Sequence, residues 1–292
     1  MDNSYEVRND RLFKLPNSPE LVRNTIRIKS KLIRNGLAEA IGTFILVFIG
    51  TSVNAQFLLP RAAINTWIQI AVGWGFAIMI AIASVARISG AHLNPAISIL
   101  FFSMGALDIA SLFVYIIFQH IGAFFGAAAT YIVYRDAINY YDGGLRAIAG
   151  SNGTAGIFAT YPQPFLSALT GYYDQVAGTG LLAFCILMIT DEPNKVPFAA
   201  QPVLIGISLL VIGCGFGWNC GFPLNPARDL GPRLFTYFVY GTKVFAHPWN
   251  YWFLVPIIGP ILGALIGGWF YILLIGSHIP DEKISEEIET RK

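Results

Sequence analysis

Charge is scarce in this chain of 292 residues. Only 12% of them are Asp, Glu, Lys or Arg, about half of what a soluble domain carries. A surface so thinly charged excludes a freely soluble globular fold. Cysteine is scarcer still. Cys185, Cys214 and Cys220 show no metal-ligand spacing, and an odd number argues against a disulfide framework. The first 34 residues lack an apolar central region, so no cleavable signal peptide is visible and the first apolar span is expected to serve as the insertion signal. No nucleophile–base pair, metal cluster or nucleotide loop stands out, so neither an enzyme, a cofactor nor a metal site is expected. A net charge of +2 gives no reason to expect a nucleic acid partner.

What the chain has instead is hydrocarbon: 55% of its residues are hydrophobic. A membrane-crossing helix needs ~20 mostly apolar residues. Six such runs occur, at 36–56, 62–86, 109–134, 173–190, 196–216 and 251–276, and only the first and fourth carry a charged residue. Two further apolar pieces, 94–106 and 225–238, are too short and would reach roughly halfway at ~1.5 Å per residue. An even number of crossings puts both termini on one side. Eight of the 19 Lys and Arg residues precede position 35, which makes that side cytoplasmic. The chain therefore divides into a cytoplasmic segment 1–35, a membrane domain 36–277 and a cytoplasmic tail 278–292. The domain consists of halves 36–134 and 173–277, joined by an extracellular loop 135–172. That loop carries Asn152-Gly153-Thr154, a glycosylation acceptor on the permitted side.

The two halves repeat. "EAIGTFILVF" from Glu39 and "QVAGTGLLAF" from Gln175 share Gly42/Gly178, Thr43/Thr179, Leu46/Leu182 and Phe48/Phe184. The third and sixth spans carry glycines four apart, and the pattern pairs Gly122 and Gly126 with Gly259 and Gly263, faces suited to close helix packing. Three crossings per half invert the second half relative to the first. The expected fold is an all-α integral membrane protein of six transmembrane helices and two half-helices in an inverted repeat, an architecture that places a pathway near the bilayer midplane.

Both short pieces begin with the same tripeptide: Asn94-Pro95-Ala96 and Asn225-Pro226-Ala227. Asn is a favoured helix N-cap, and Pro at the next position loses nothing because its missing N–H would have had no partner. Inversion should bring the two caps together, one helix arriving from each side. Each helix start carries about half a positive charge. Two such starts meeting at mid-membrane repel cations, and amide N–H groups facing the lumen orient a passing water so that a proton wire is broken.

At this point the chain resembles the aquaporin family, also called the major intrinsic proteins, over residues 36–277. The resemblance rests on "SGAHLNPA", "GFPLNPARD", Glu39 and the glycine pairs. It implies six tilted helices, a pore through each subunit and a homotetramer in a lipid bilayer, with the plasma membrane as the expected location. Asp229 directly after Arg228, Arg233 four residues on, Pro256-Ile257 and the loop "GTAGIFATYP" are most similar to the aquaglyceroporins. The family's aromatic/arginine selectivity filter carries over to Trp74, Gly213, Phe222 and Arg228. Gly213 stands where water-selective relatives generally have His, and is expected to widen the constriction. Trp74 and Phe222 would form an apolar wedge for the C–H edge of a polyol, and Arg228 would offer fixed donors to its hydroxyls. Backbone carbonyls of Gly90, Ala91 and His92, and of Gly221, Phe222 and Pro223, would line the approaches. Glu39, Gln175 and Asp229 would support the irregular loops. Glu39 is the one acid well inside a span, where an unpaired carboxylate costs ~3 kcal/mol or more.

The expected function is a passive channel for water, glycerol and similar small neutral solutes that excludes protons and ions. The alternative is a coupled secondary transporter of small polyols, because inverted repeats occur there too; the shortage of intramembrane acids speaks against it. His92 braces its loop or responds to pH at the cytoplasmic mouth. Cys220, near the filter, is a candidate for mercurial block or an inert buried thiol.

Overall fold

A computed structural model of the chain describes residues 18–280. Arg8, Arg11 and Lys14 of the basic segment, and residues 281–292 of the tail, lie outside the described residues. Among the described residues there is no strand. A short helix α1 (Ser18–Ile26) precedes α2 (Lys31–Leu58) and α3 (Trp67–Ser89). The half-helix α4 (Pro95–Ser103) and the long α5 (Ile109–Asp142) complete the first half. The second half runs α6 (Ala168–Thr190), α7 (Gln201–Cys220), half-helix α8 (Pro226–Tyr240), a single turn α9 (Lys243–Ala246) and α10 (Val255–Leu274). Among the described residues six helices are long and apolar enough to cross a membrane, and the chain is an integral, multi-pass membrane protein.

Helix ends follow local chemistry. Ser30 caps α2 by accepting from Ile33 N. Asp108 caps α5, accepting from Ser111 N at 2.9 Å and from the Ser111 hydroxyl at 2.6 Å; these bonds hold its carboxyl below the usual carboxylate range. α3 and α7 stop at left-handed glycines, Gly90 (φ 88°) and Gly221 (φ 80°), a conformation that glycine adopts without a side-chain clash. These matched stops release the chain into the two irregular loops before α4 and α8. α2 starts five residues earlier than the apolar run suggested, and α5 extends eight residues beyond residue 134. Both extensions are rich in polar and charged residues, where hydropathy carries no signal.

Within each half the first and third helices pack together, α2 on α5 and α6 on α10, while α3 and α7 join the halves. Each half-helix also leans on the other half: α4 touches α10 and α8 touches α5. The join is symmetric at one contact. A Cβ on Gly75 would lie 2.7 Å from Gly206 O, and one on Gly206 would lie 2.7 Å from Gly75 O.

The glycine faces correct the pairing read from spacing. A Cβ at Gly122 would meet Ala40 O at 2.1 Å and one at Gly126 would meet Phe44 O at 2.9 Å. Their equivalents in the second half are Gly263, against Val176 O at 2.4 Å, and Gly267, against Gly180 O at 1.9 Å. The register differs by one helical turn from the Gly259/Gly263 pairing. Three glycines at successive four-residue steps, Gly259, Gly263 and Gly267, make spacing blind to which two are the match.

Gly267→Ala should therefore lower the thermal unfolding midpoint of the detergent-solubilised protein by an amount equivalent to about 1–3 kcal/mol of overpacking. Gly215→Ala, in α7 where a Cβ meets nothing within 4 Å, should be neutral or slightly stabilising. Equal midpoints for the two variants would contradict the tight α6–α10 approach.

Candidate functional site

The loops before α4 and α8 are built alike. Ala91 and Leu93 in the first, and Phe222 and Leu224 in the second, adopt positive φ between 43° and 54°. Such strain in non-glycine residues persists only where the surroundings enforce it. Gly42 and Gly178 provide part of that enclosure: a Cβ there would strike the Leu93 side chain at 2.5 Å and the Leu224 side chain at 2.8 Å. The repeated glycine of the sequence is thus a seat for the repeated leucine.

Asn94 Oδ1 accepts from Ala96 N at 2.9 Å, and Asn225 Oδ1 accepts from Ala227 N at 3.0 Å and Arg228 N at 3.2 Å. Each amide nitrogen then reaches across the repeat. Asn94 Nδ2 donates to Leu224 O at 3.0 Å, and Asn225 Nδ2 donates to Leu93 O at 2.8 Å. The starts of α4 and α8 are thereby clasped together. One N–H of each amide is committed to the clasp, so each Asn retains a single donor and not its full pair.

Three cavities follow one another along this axis. The first, about 240 Å³, is lined by Asn54, Trp67, Thr160, Gly221 and Arg228 among others. The second is about 30 Å³ and is bounded by Trp74, Phe222, Arg228, Asn94 and Asn225 together with aliphatic side chains. The third, about 300 Å³, includes Gly90, Ala91, His92 and Phe101 in its wall. Arg228 belongs to the first two and Ile78 to the last two. A water needs about 10–15 Å³ measured this way, so the middle segment admits a file of very few molecules.

The constriction is rigidly supported. The Arg228 guanidinium lies 4.2 Å from the centre of the Trp74 ring and its Nη1 donates to Phe158 O at 2.9 Å. Trp74 Nε1 donates to Asn54 Oδ1 at 3.0 Å, and Asn54 Nδ2 donates to Ile157 O at 3.0 Å. Gly50 leaves room for the indole, since a Cβ there would lie 2.3 Å from it. Phe222 packs edge-on against Trp67 at 6.1 Å, and Trp67 Nε1 donates to Gly213 O at 3.0 Å. Gly213 does not line the middle cavity. A Cβ on it would lie 2.9 Å from Phe222 Cζ, so the space vacated at Gly213 is filled by the Phe222 ring. The expectation that Gly213 simply widens the lumen is corrected: the room it leaves is taken up by Phe222.

The carbonyls of Gly90, Ala91, His92, Gly221, Phe222 and Pro223 accept no protein hydrogen bond among the described residues, and all six residues border one of the three cavities. His92 stacks on Phe101 at 4.7 Å, meets Tyr115 edge-on at 5.2 Å, and places Nδ1 3.2 Å from Ser98 Oγ.

The supports of the two loops are unequal, and the reason is local. Glu39 accepts four hydrogen bonds, from Ser89 Oγ (2.6 Å), His92 N (3.0 Å), Leu93 N (2.6 Å) and Gln119 Nε2 (2.8 Å). Among the described residues Gln175 accepts only from Leu224 N, at 3.0 Å. The counterpart of His92 is Pro223, which has no N–H to give. A carboxylate at 175 would face one backbone donor where Glu39 has two, so a neutral amide suffices. Its nitrogen donates to Asp174 Oδ2 at 2.9 Å and to Cys220 Sγ at 3.2 Å. Asp174, 8% exposed in the second turn of α6, is a buried acid that the sequence reading passed over. It also accepts from Asn219 Nδ2 at 2.7 Å. Cys220 takes the place of Ser89 and is 2% exposed.

Asp229 accepts from Thr160 N at 2.8 Å, from the Thr160 hydroxyl and from Arg233 Nε at 2.9 Å. Arg233, fully buried, donates on to Thr160 O at 2.6 Å and Val244 O at 2.8 Å. The pair pins the loop that presents Phe158 O to Arg228. Asn152 is exposed, while Thr154 of the same tripeptide is buried and bonded to Asp142 and Tyr240.

The model of the family described as "Major intrinsic protein" matches residues 27–271. The chain belongs to the major intrinsic protein family. Within that family it is 42% identical to human Aquaporin-10, over 90% of this chain and 88% of that one. It is 40% identical to human Aquaporin-9, over 87% and 86%. The Aquaporin-10 of Milnesium tardigradum is 42% identical, and the chain spans 66% of that relative's length. The solved aquaglyceroporin of Plasmodium falciparum superposes with a TM-score of 0.77 at 31% identity, covering 85% of this chain and 98% of that one. Asn54, Gly50, Trp67, Gln119, Asp174 and Thr160 were not legible as site residues; only the adjacency of Asp174 to Gln175 offered a signal.

Glu39→Gln should destabilise the protein by about 1–3 kcal/mol for each donor left unpaired, read as a lower unfolding midpoint. Gln175→Glu should also destabilise, and adding Pro223→Ala should restore part of the loss by supplying a second N–H. A neutral Gln175→Glu in the presence of Pro223 would refute the donor-count explanation.

Proposed function

We infer that this chain is a passive channel conducting water and glycerol while excluding protons and ions. The observation that carries the reading is the reciprocal clasp of Asn94 and Asn225 inside a ~30 Å³ neck between two wide cavities. Two helix starts, each worth about half a positive charge, meet at that neck. The buried Arg228 adds a full charge beside it. A cation entering must shed water and approach three positive centres; a neutral solute meets none of that repulsion. One remaining donor on each Asn turns the oxygen of a passing water toward both, so neighbouring waters cannot hand a proton through.

Glycerol suits the neck because it has two unlike edges. Trp74 and Phe222 present apolar surface to its C–H edge. The guanidinium of Arg228 has five donors, and those beyond the Phe158 bond can serve hydroxyls. The bare carbonyls of 90–92 and 221–223 supply acceptors on either side, so hydration is exchanged stepwise rather than stripped. The transporter alternative has less support: no Asp or Glu among the described residues lines any of the three cavities. The same reading places both termini in the cytoplasm and the chain in the plasma membrane as a homotetramer. It assigns filter roles to Trp74, Gly213, Phe222 and Arg228, and leaves Asn152 as a glycan acceptor.

Stopped-flow swelling of proteoliposomes tests it: glycerol and water permeability should both exceed that of empty vesicles, and a proton or sodium gradient should drive no uphill glycerol accumulation. Gly213→His should displace Phe222 and cut glycerol permeability by about tenfold, ~1.4 kcal/mol of barrier, with a smaller effect on water. Phe222→Ala should likewise alter glycerol more than water. Equal changes in both fluxes at normal expression would contradict the wedge.

A further inference from the structure

No residue of helix α1 lines any of the three axial cavities. Every residue of α1 whose burial is described is exposed. Its apolar side chains are nevertheless grouped. At 100° per residue, Leu21, Val22 and Ile26 fall within an arc of about 140°, and they are 56%, 50% and 70% exposed. Arg23 and Glu20 lie outside that arc. A nine-residue helix is too short to hold itself together in water by propensity alone, so an apolar stripe this open requires a surface to cover it.

The surroundings say which surface. α1 ends four residues before α2, which crosses the membrane. Four extended residues span at most about 13–14 Å, so α1 is tethered within that distance of the level at which α2 begins. The connecting segment is basic: Arg27 and Lys29 flank Ile28, and Lys31 opens α2. All three cations and Arg23 are exposed. Arg34 Nη1 donates to Ile28 O at 3.3 Å, folding the connection against the start of α2. Between residues 18 and 34 there are five Lys and Arg and one acid, Glu20. Charge of one sign concentrated beside a span attracts anionic lipid headgroups, and an amphipathic helix with a basic flank lies flat in the interface with its apolar arc among the acyl chains.

We propose that α1 and residues 27–31 form an interfacial anchor that binds the anionic phospholipid surface of the bilayer in which the channel sits. Leu21, Val22 and Ile26 insert, while Arg23, Arg27, Lys29 and Lys31 hold phosphate and carboxylate groups of the headgroup layer. The occupant is lipid rather than a soluble partner because the tether already places the stripe at the membrane edge and the charge complements that surface.

Hydrogen exchange of the full-length protein in nanodiscs tests the anchor. Discs of phosphatidylcholine alone are compared with discs of equal parts phosphatidylcholine and phosphatidylserine, reading peptides that cover residues 18–30. Slower exchange in the anionic discs, reversed by high salt, is the expected result. Each of Arg23→Gln, Arg27→Gln and Lys29→Gln should weaken the protection by up to about fivefold. Leu21→Ser with Val22→Ser should abolish it although every charge remains, and none of these changes should alter glycerol permeability. Identical exchange in the two disc types would overturn the proposal. So would protection that appears only when an acidic protein is added to phosphatidylcholine discs, which would make the stripe a protein-docking helix. Loss of protection only with the charge substitutions, and not with the serines, would overturn the insertion of the apolar arc.

Discussion

Two carbonyl oxygens and two amide nitrogens hold the centre of this protein. Asn94 donates to the carbonyl before Asn225, and Asn225 donates to the carbonyl before Asn94. In a hydrocarbon slab, irregular backbone is tolerated only where each polar group finds protein or lumen water. The clasp satisfies the groups nearest the axis and fixes the two half-helices end to end. The dipoles, the neck and the bare carbonyl ladders all take their positions from it. Both loops carry positive-φ leucines that nothing but enclosure would keep in place.

Around that centre, the two halves solve the same problem with different atoms. In the first half the carboxyl of Glu39 receives two backbone N–H groups, a serine and a glutamine. In the second, Pro223 removes one backbone donor, the amide of Gln175 stands in place of the carboxyl, and an acidic side chain sits one residue earlier at Asp174. Ser89 is replaced by Cys220 at the matching place. Pseudo-symmetry therefore holds for backbone geometry and is relaxed for side-chain chemistry, because the number of donors in the loop decides whether a buried charge can be satisfied. On the Arg228 side a further buried pair, Asp229 and Arg233, spends its hydrogen bonds on Thr160 and so fixes the carbonyl that Arg228 uses. The Arg228 side chain is thus held from behind by groups that do not line the middle cavity.

Much of this was legible beforehand. Asn94-Pro95 and Asn225-Pro226 announce capped helix starts, and their half-length apolar tails announce half-spans. Glu39 in an apolar run announces a carboxylate with work to do on a nearby loop. Hidden were the groups whose importance depends on a neighbour distant in the chain. Asn54 is one polar residue near the end of a long helix until Trp74 and Ile157 are brought to it. Gly50 looks like a packing glycine until the Trp74 ring is found in its place, and Gly213, read as widening the lumen, makes room for the Phe222 ring instead. The glycine register of α10 was misread by a turn because equal spacing admits more than one match.

The sequence by itself determined the membrane, the six crossings, the inverted repeat and the two capped half-helices, because length, hydropathy and cap chemistry are properties of contiguous residues. Only the tertiary structure decided which carbonyl each Asn amide takes, that Phe222 fills the room left by Gly213, and which N–H groups each buried acid or amide must serve. Those are distances between residues far apart in the chain, and they exist only once the two halves have closed on one another.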